Sequence, residues 1–170
     1  MNLSTNRNAE PAPINRWGIG PKWVLCCALG AVPLFIINAV WPGVLEIHLV
    51  PRPALLIVGC VLLLVGVPFL VMALWVLHRG FGHDKLFTSG VYGLCRHPIY
   101  ASWIVFLVPG VLLLVGSWIF LLLPPLMYAS LRFLVREEEA WLEATFQDEY
   151  RAYRRRVPAV FPVPRFWRRD

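Results

Sequence analysis

Three of the four histidines in this chain lie between His78 and Tyr100, a stretch that also carries Gly80, Gly82, Gly90 and Gly93. Within it, Arg96, His97, Pro98 and Tyr100 bring a guanidinium, an imidazole and a phenol together at the start of an uncharged run. Pro98 suits the first turn of a helix, where its missing N–H is not needed. Arg96 and His97 then stand at the helix mouth, whose unpaired N–H groups and positive dipole end favour an anion. Two uses compete for that anion site. It can hold the carboxylate of a ligand, or it can serve as a plain interfacial cap, with Arg96 on a lipid phosphate and Tyr100 in the aromatic belt. Thr88, Ser89 and Gly90 read as a turn before it.

A second polar cluster follows the last apolar run: Arg132, Arg136, Glu137, Glu138, Glu139 and Glu143, with no helix breaker among them. A helix is expected to continue through it. Glu139 and Glu143, four residues apart, share a face, while Glu138 points toward the side of Leu134 and Leu142. A charge run of this kind is ordinarily a solvated face. Leu142, Phe146, Tyr150 and Tyr153 then recur at helical spacing, with Arg151, Arg154, Arg155 and Arg156 between and after them. That pattern predicts a basic amphipathic helix suited to a membrane surface. Pro158, Pro162 and Pro164 end it, and Val160, Phe161, Val163, Phe166 and Trp167 are expected to fold back over the core.

The elements that must position these residues are membrane helices. Hydrophobic residues make up 58% of the chain, charged residues 15%, and the mean hydropathy is +0.62; soluble domains hold about 45–50% apolar and about 25% charged residues. Trp23 to Leu45 and Ala54 to Leu77 are uncharged and suit one span each. Pro98 to Leu131 is too long for one span of ~20 residues. A hairpin of two short helices with its turn near Gly116–Ser117 is the preferred reading, and one bent, tilted helix is the rival. Pro109, Pro124 and Pro125 then fall within spans.

The net charge of +6 is set by basic residues that flank apolar runs, which reads as membrane topology and attraction to lipid, not as nucleic-acid binding. With four spans, one side holds Arg7, Arg16, Lys22, Arg79, Lys85, Arg96, Arg132, Arg136 and the C-terminal arginines, and the other only Arg52. Both termini are therefore expected in the cytoplasm. Cys26, Cys27 and Cys60 fall in apolar runs, Cys95 beside a charged motif, and no Cys/His spacing suggests zinc. The polar start lacks a signal-peptide pattern, and residues 1–15 are expected to be a disordered tail. Residues 16–81 would hold the first two transmembrane helices, and 82–170 the functional region. The fold class expected is an all-α polytopic membrane helix bundle of about four spans, with a cytosolic C-terminal helical region.

The stretch from Lys85 to Tyr100, followed by Glu137–Glu139 and then by Phe146, Asp148, Glu149, Tyr150 and Tyr153 up to Pro158, resembles the isoprenylcysteine carboxyl methyltransferase family, which is related to the phospholipid methyltransferases. The resemblance covers roughly Gly82 to Pro162, about half the chain. It implies S-adenosylmethionine as cofactor, bound on the cytosolic side by Lys85, Leu86, Phe87, Tyr92, His97, Pro98, Ile99, Tyr100 and Glu138. It implies a lipidic or small apolar methyl acceptor entering from the membrane, with membrane lipids as surroundings and no metal. The alternatives are a phospholipid (phosphatidylethanolamine) N-methyltransferase, a reductase of lipid or sterol double bonds using NADPH, and a non-catalytic membrane protein. Sterol reductases have a similar C-terminal half but are much longer, so a short chain favours the methyltransferases. It also suits a bacterial inner membrane.

Methyl transfer from a sulfonium chiefly requires alignment of donor and acceptor; if a proton must move, His97, Tyr100 and Glu138 are the catalytic candidates. The sequence departs from the family at one position. Where the prenylcysteine enzyme has a substrate-carboxylate arginine, one turn before the glutamate, this chain has Leu134, with Arg132 and Arg136 near but on other faces. These three residues are the candidates for substrate binding. Gln147 stands where a glycine usually follows the Phe. Reporter fusions at residues 15, 48, 88, 117 and 165 test the orientation. A cytoplasmic signal is expected at residues 15, 88 and 165, and an external signal at 88 would overturn it.

Overall fold

The computed structural model describes residues 18–80 and 86–163. Four long helices dominate: α1 (Gly20–Val40), α2 (Arg52–Gly80), α3 (Pro98–Val115) and α4 (Trp118–Arg156). Each is long and apolar enough to cross a bilayer, and the described residues hold no strand beyond one isolated bridge. The protein is an integral membrane helix bundle. α1 ends at Val40 rather than Leu45, because Pro42 and Gly43 follow and proline cannot continue a helix. α2 runs on to Gly80, past the last apolar residue.

The apolar run from Pro98 to Leu131 is a hairpin and not one bent helix. Gly116 takes a left-handed φ of +78° and closes α3, and Ser117 is extended. A side chain there would be strained by the positive φ, and its Cβ would displace the Arg52 guanidinium. Arg52 itself donates to the Leu114 carbonyl. Its charge is thus engaged with the negative end of α3. The chain before α2 completes the turn, with the Ile47 N–H donating to Gly116 at 2.9 Å and the Trp118 N–H to Leu45 at 2.8 Å.

α2 packs along α3 at small residues. A Cβ on Gly59 would lie 2.8 Å from the Gly110 carbonyl oxygen, so the two backbones touch, as membrane helices do when dispersion rather than hydrophobicity must hold them. α1 packs along α4, where the Trp23 indole donates to the Met127 carbonyl at 3.1 Å. The core between them holds Trp23, Ala101, Ile104, Leu112, Phe120, Met127, Leu131 and Val135. Leu25, Leu29, Leu64, Val71 and Met72 stay exposed on α1 and α2, as a lipid-facing surface requires.

The prolines are accommodated in two ways. Ser102–Leu107 winds as a π-helix one turn before Pro109, and the wider turn makes room where the proline removes a donor. Pro124 and Pro125 stand at the start of the α-helical part of α4, after the 3₁₀ turn Trp118–Leu122. There the missing N–H costs nothing.

The apolar part of α4 ends at Leu131, and its charged turns extend beyond the ~20 residues that a bilayer needs. α4 is not continuous to its end. Gln147 has φ +44° and ψ −118°, which breaks the helix between Phe146 and Asp148. Tyr150, Tyr153 and Val157 still join Leu142, Phe146 and Leu86 in one cluster, but the break sets their direction. The chain then turns back. The Arg96 N–H donates to Pro158 at 2.9 Å, the His97 N–H to Ala159 at 3.0 Å and the Val163 N–H to Leu94 at 3.2 Å. Val160 is buried in the core as expected, whereas Phe161 stays largely exposed against Tyr128. Phe166 and Trp167, and the tail 1–15, lie outside the described residues.

A positive φ at a glutamine stores about 1–3 kcal/mol, which glycine relieves at a cost of about 0.5–1 kcal/mol in chain entropy. Gln147→Gly is expected to raise the melting temperature in detergent. Gln147→Ala should leave it nearly unchanged, because the side chain is exposed. A fall with glycine would show that the break is not strained.

Candidate functional site

The site forms where the turn before α3 meets the charged part of α4. The 3₁₀ turn Gly90–Gly93 places Tyr92, and Arg96 and His97 follow at the mouth of α3. His97 is nearly fully buried. Its Nε2 lies 3.1 Å from Glu139 Oε1, and its Nδ1 lies 3.9 Å from Glu138 Oε1. One imidazole therefore stands between two consecutive glutamates.

Glu139 does not belong to a solvated face. It is buried and takes Arg96 Nη2 at 3.0 Å as well as His97, with Arg154 Nη2 at 3.8 Å from its other oxygen. Arg96 also donates to the Tyr150 hydroxyl at 3.4 Å. The expected open anion site is consequently filled from within the protein: Arg96 meets a carboxylate of α4, neither a lipid phosphate nor a free ligand. Glu143 alone behaves as expected of its face, pairing with Arg151 and Arg154 near the surface. Sequence reasoning missed Glu139, Tyr150 and Arg154. The four-residue step from Glu139 to Glu143 hid the first, because spacing along one helix says nothing of what crosses to it.

The expected site residues converge in part. Tyr100 is half-buried, packs edge-on against Trp23 with ring centroids 5.1 Å apart, and lies 6.1 Å from the His97 ring. Tyr92 accepts a 2.6 Å hydrogen bond at its carbonyl from the Tyr153 hydroxyl, and its ring lies 6.4 Å from Phe87. Pro98 is buried and Ile99 half-buried beside them, while Leu86 sits in the Tyr150 cluster. Lys85 lies outside the described residues. Leu134 is packed into the apolar core. Arg132 and Arg136 are exposed on other faces of α4, Arg136 over the Phe133 ring at 5.4 Å. The start of α1, to which the sequence assigned no role, also reaches the site. A Cβ on Gly18 would lie 3.3 Å from Glu138 Oε2, and Lys22 pairs with Glu137 at 3.3 Å.

The two glutamates titrate in opposite directions. Burial raises the Glu138 carboxyl above its ordinary range, only partly offset by His97 and the Ile19 N–H. Burial acts on Glu139 too, but the His97 hydrogen bond and the charges of Arg96 and Arg154 outweigh it and hold that carboxyl below the usual range. Burial and the nearby Glu138 likewise push the Tyr92 phenol up, so it stays protonated. Glu138 keeps one oxygen, Oε2, buried without a hydrogen-bond partner among the described residues. A buried carboxylate with a spare oxygen between two tyrosines is suited to a small cation.

A family model described as phospholipid methyltransferase matches residues 51–149, which cover α2, α3 and most of α4. The chain belongs to that family. It is similar to the protein-S-isoprenylcysteine O-methyltransferase of Schizosaccharomyces pombe, 35% identical over 46% of this chain and 33% of that one. The enzyme of the same name in Rattus norvegicus is 28% identical over 74% of this chain and 45% of its own. The cobalt-zinc-cadmium resistance protein CzcN of Cupriavidus metallidurans is 34% identical over 47% of this chain and 37% of its own. The matches thus span less than half the length of these relatives. No solved structure matches the chain. Among the described residues, no group of three or more histidine, cysteine or acidic side chains could hold a metal ion.

Glu139→Ala would leave Arg96 buried and unpaired, at a cost of about 3–5 kcal/mol. Glu137→Ala, which removes only an exposed pair, should cost under about 1 kcal/mol. The pH dependence has a definite sign. A carboxyl held below its ordinary value of 4.5 stabilises the fold above that pH and loses its contribution as pH falls through the folded-state value. The gap in melting temperature between wild type and Glu139→Gln should therefore narrow on acidification below about pH 4.5. A gap that widens would contradict the assignment.

Proposed function

We propose that this protein is a membrane methyltransferase that uses S-adenosylmethionine and methylates a lipidic acceptor other than a prenylcysteine carboxylate. The reading rests chiefly on the buried oxygen of Glu138, unpartnered among the described residues and set near Tyr92, Tyr100 and His97. The residues fit the cofactor. Glu138 and the two tyrosine faces would lie against its cationic part, and Phe87, Pro98 and Ile99 supply apolar walls. Bound there, the cofactor supplies a methyl group already activated as a sulfonium. The chain's own contribution is alignment and exclusion of water, from α3, α4 and the tail 157–163 that closes against residues 94–97. Family membership and the similarity to named O-methyltransferases support the reading. The excess of lysine and arginine on the site's side favours a cytoplasmic placement.

Leu134 carries the choice of acceptor. It is packed in the apolar core, and Arg132 and Arg136 face elsewhere. A carboxylate brought beside it would lack a partner, at a cost of several kcal/mol. A neutral or cationic acceptor, such as a phospholipid amine, is favoured instead.

Calorimetry on detergent-purified protein tests the cofactor. S-adenosylhomocysteine is expected to bind with a Kd in the micromolar range and raise the melting temperature, whereas NADPH should not bind. Glu138→Gln is expected to raise the melting temperature of the ligand-free protein at pH 7.5, because ionising a carboxyl whose folded-state pKa is raised opposes folding. The same variant should lose most of the stabilisation by S-adenosylhomocysteine. N-acetyl-farnesylcysteine should be turned over poorly by wild type and better by Leu134→Arg. Absence of S-adenosylhomocysteine binding at millimolar ligand would defeat the methyltransferase reading.

A further inference from the structure

His97 touches both glutamates, but unequally. Its Nε2 lies 3.1 Å from Glu139 Oε1, within hydrogen-bond range, while its Nδ1 lies 3.9 Å from Glu138 Oε1, outside that range. Glu139 is buried and carries Arg96 at 3.0 Å and Arg154 at 3.8 Å. A carboxylate surrounded by two guanidinium groups stays ionised, and it accepts only from a nitrogen that bears a proton. In the neutral ring that nitrogen is Nε2, which leaves the lone pair on Nδ1. Nδ1 lies on the Glu138 side.

We infer that Glu139 is a positioning residue that fixes the His97 tautomer, and that Nδ1 of His97 takes the proton from a methyl acceptor that is a lipid amine. The inference rests on the methyltransferase reading and on the amine acceptor favoured there, and adds the proton's destination and the residue that sets it. The step balances without a further reactant. The acceptor's ammonium N–H bond breaks and its proton goes to Nδ1. The freed nitrogen lone pair forms the new N–CH₃ bond as the sulfonium C–S bond breaks, with its electron pair left on sulfur. The resulting imidazolium would lie between Glu139 and Glu138, and both favour its charge. Facing this ring are Glu138 and Glu139 from α4 and Tyr100 from α3. Arg96, Arg154 and Tyr150 act on it through Glu139. A carboxylate acceptor would carry no proton to remove and would leave Nδ1 without a task.

Two measurements on full-length protein separate this inference from the cofactor reading. The first is nitrogen NMR on protein labelled at its four histidines, with the His97 signals assigned by His97→Gln. At pH 8, His97 is expected to bear its proton on Nε2 alone, and Glu139→Gln is expected to shift it toward a mixture of tautomers. A proton on Nδ1 in wild type would overturn the proposal, whether or not S-adenosylhomocysteine binds. The second is transfer of labelled methyl from S-adenosylmethionine to nanodiscs containing phosphatidylethanolamine. The wild-type rate is expected to rise with pH toward a plateau, as a base that must be unprotonated requires. Glu139→Gln should lower kcat about 100-fold, leave KM for S-adenosylmethionine within about twofold, and move the inflection of the profile. Glu139→Asp should recover part of the rate. If S-adenosylhomocysteine binds but no label reaches the amine lipid, or if His97→Gln keeps both rate and profile, the proposal fails while the methyltransferase reading stands. If S-adenosylhomocysteine does not bind, the methyltransferase reading fails first.

Discussion

The carboxylate of Glu139 is buried, and a buried charge is tolerated only when paired. Arg96 and His97 from the turn before α3 and Arg154 from beyond the Gln147 break supply the pairing. The requirement thus ties the turn before α3, the emerging part of α4 and the segment beyond the Gln147 break into one unit. The tail follows from it: with Arg96 and His97 held by their side chains, their backbone N–H groups are presented to Pro158 and Ala159. Loss of the carboxylate would release the orientation of His97 and, with it, one wall of the candidate site.

The contrast between Glu138 and Glu139 shows how a helix assigns opposite tasks to neighbours. Adjacent residues point about 100° apart around an α-helix. Glu139 faces the guanidinium groups and is satisfied. Glu138 faces Tyr92, Tyr100 and the start of α1, and keeps an oxygen unpartnered among the described residues. Burial acts against ionisation at both, and the count of partners decides which carboxyl is held ionised. An unsatisfied buried carboxyl is a local cost that persists readily where a ligand removes it.

The membrane part of the protein serves this arrangement. α2 lies directly against α3 at Gly59 and Gly110, and α1 holds α4 through Trp23 and Met127. The hairpin turn at Gly116, fastened by Arg52, sets the far end. Since α3 begins at the site and α4 passes through it, their mutual registry at that turn is transmitted to the His97 and Glu138 pair along both helices.

The number of spans, the hairpin and its turn were legible in the sequence. They depend on uninterrupted apolar length and on Gly116 beside Ser117, and the bilayer imposes both constraints locally. The grouping of Tyr92, His97, Tyr100 and Glu138 was readable by resemblance. Three features were not legible. Glu139 looked solvated, because its partners lie far away in sequence. The break at Gln147 was not legible in the periodicity, because Leu142, Phe146, Tyr150 and Tyr153 keep helical spacing across it and glutamine is a good helix former; only the resemblance marked a turn there. Arg96 looked free to meet an anion from outside. Composition and periodicity determine which segments cross the membrane, since each segment meets lipid on its own. Tertiary structure decides which charges are spent on each other, because an ion pair is a property of two segments and appears in neither alone.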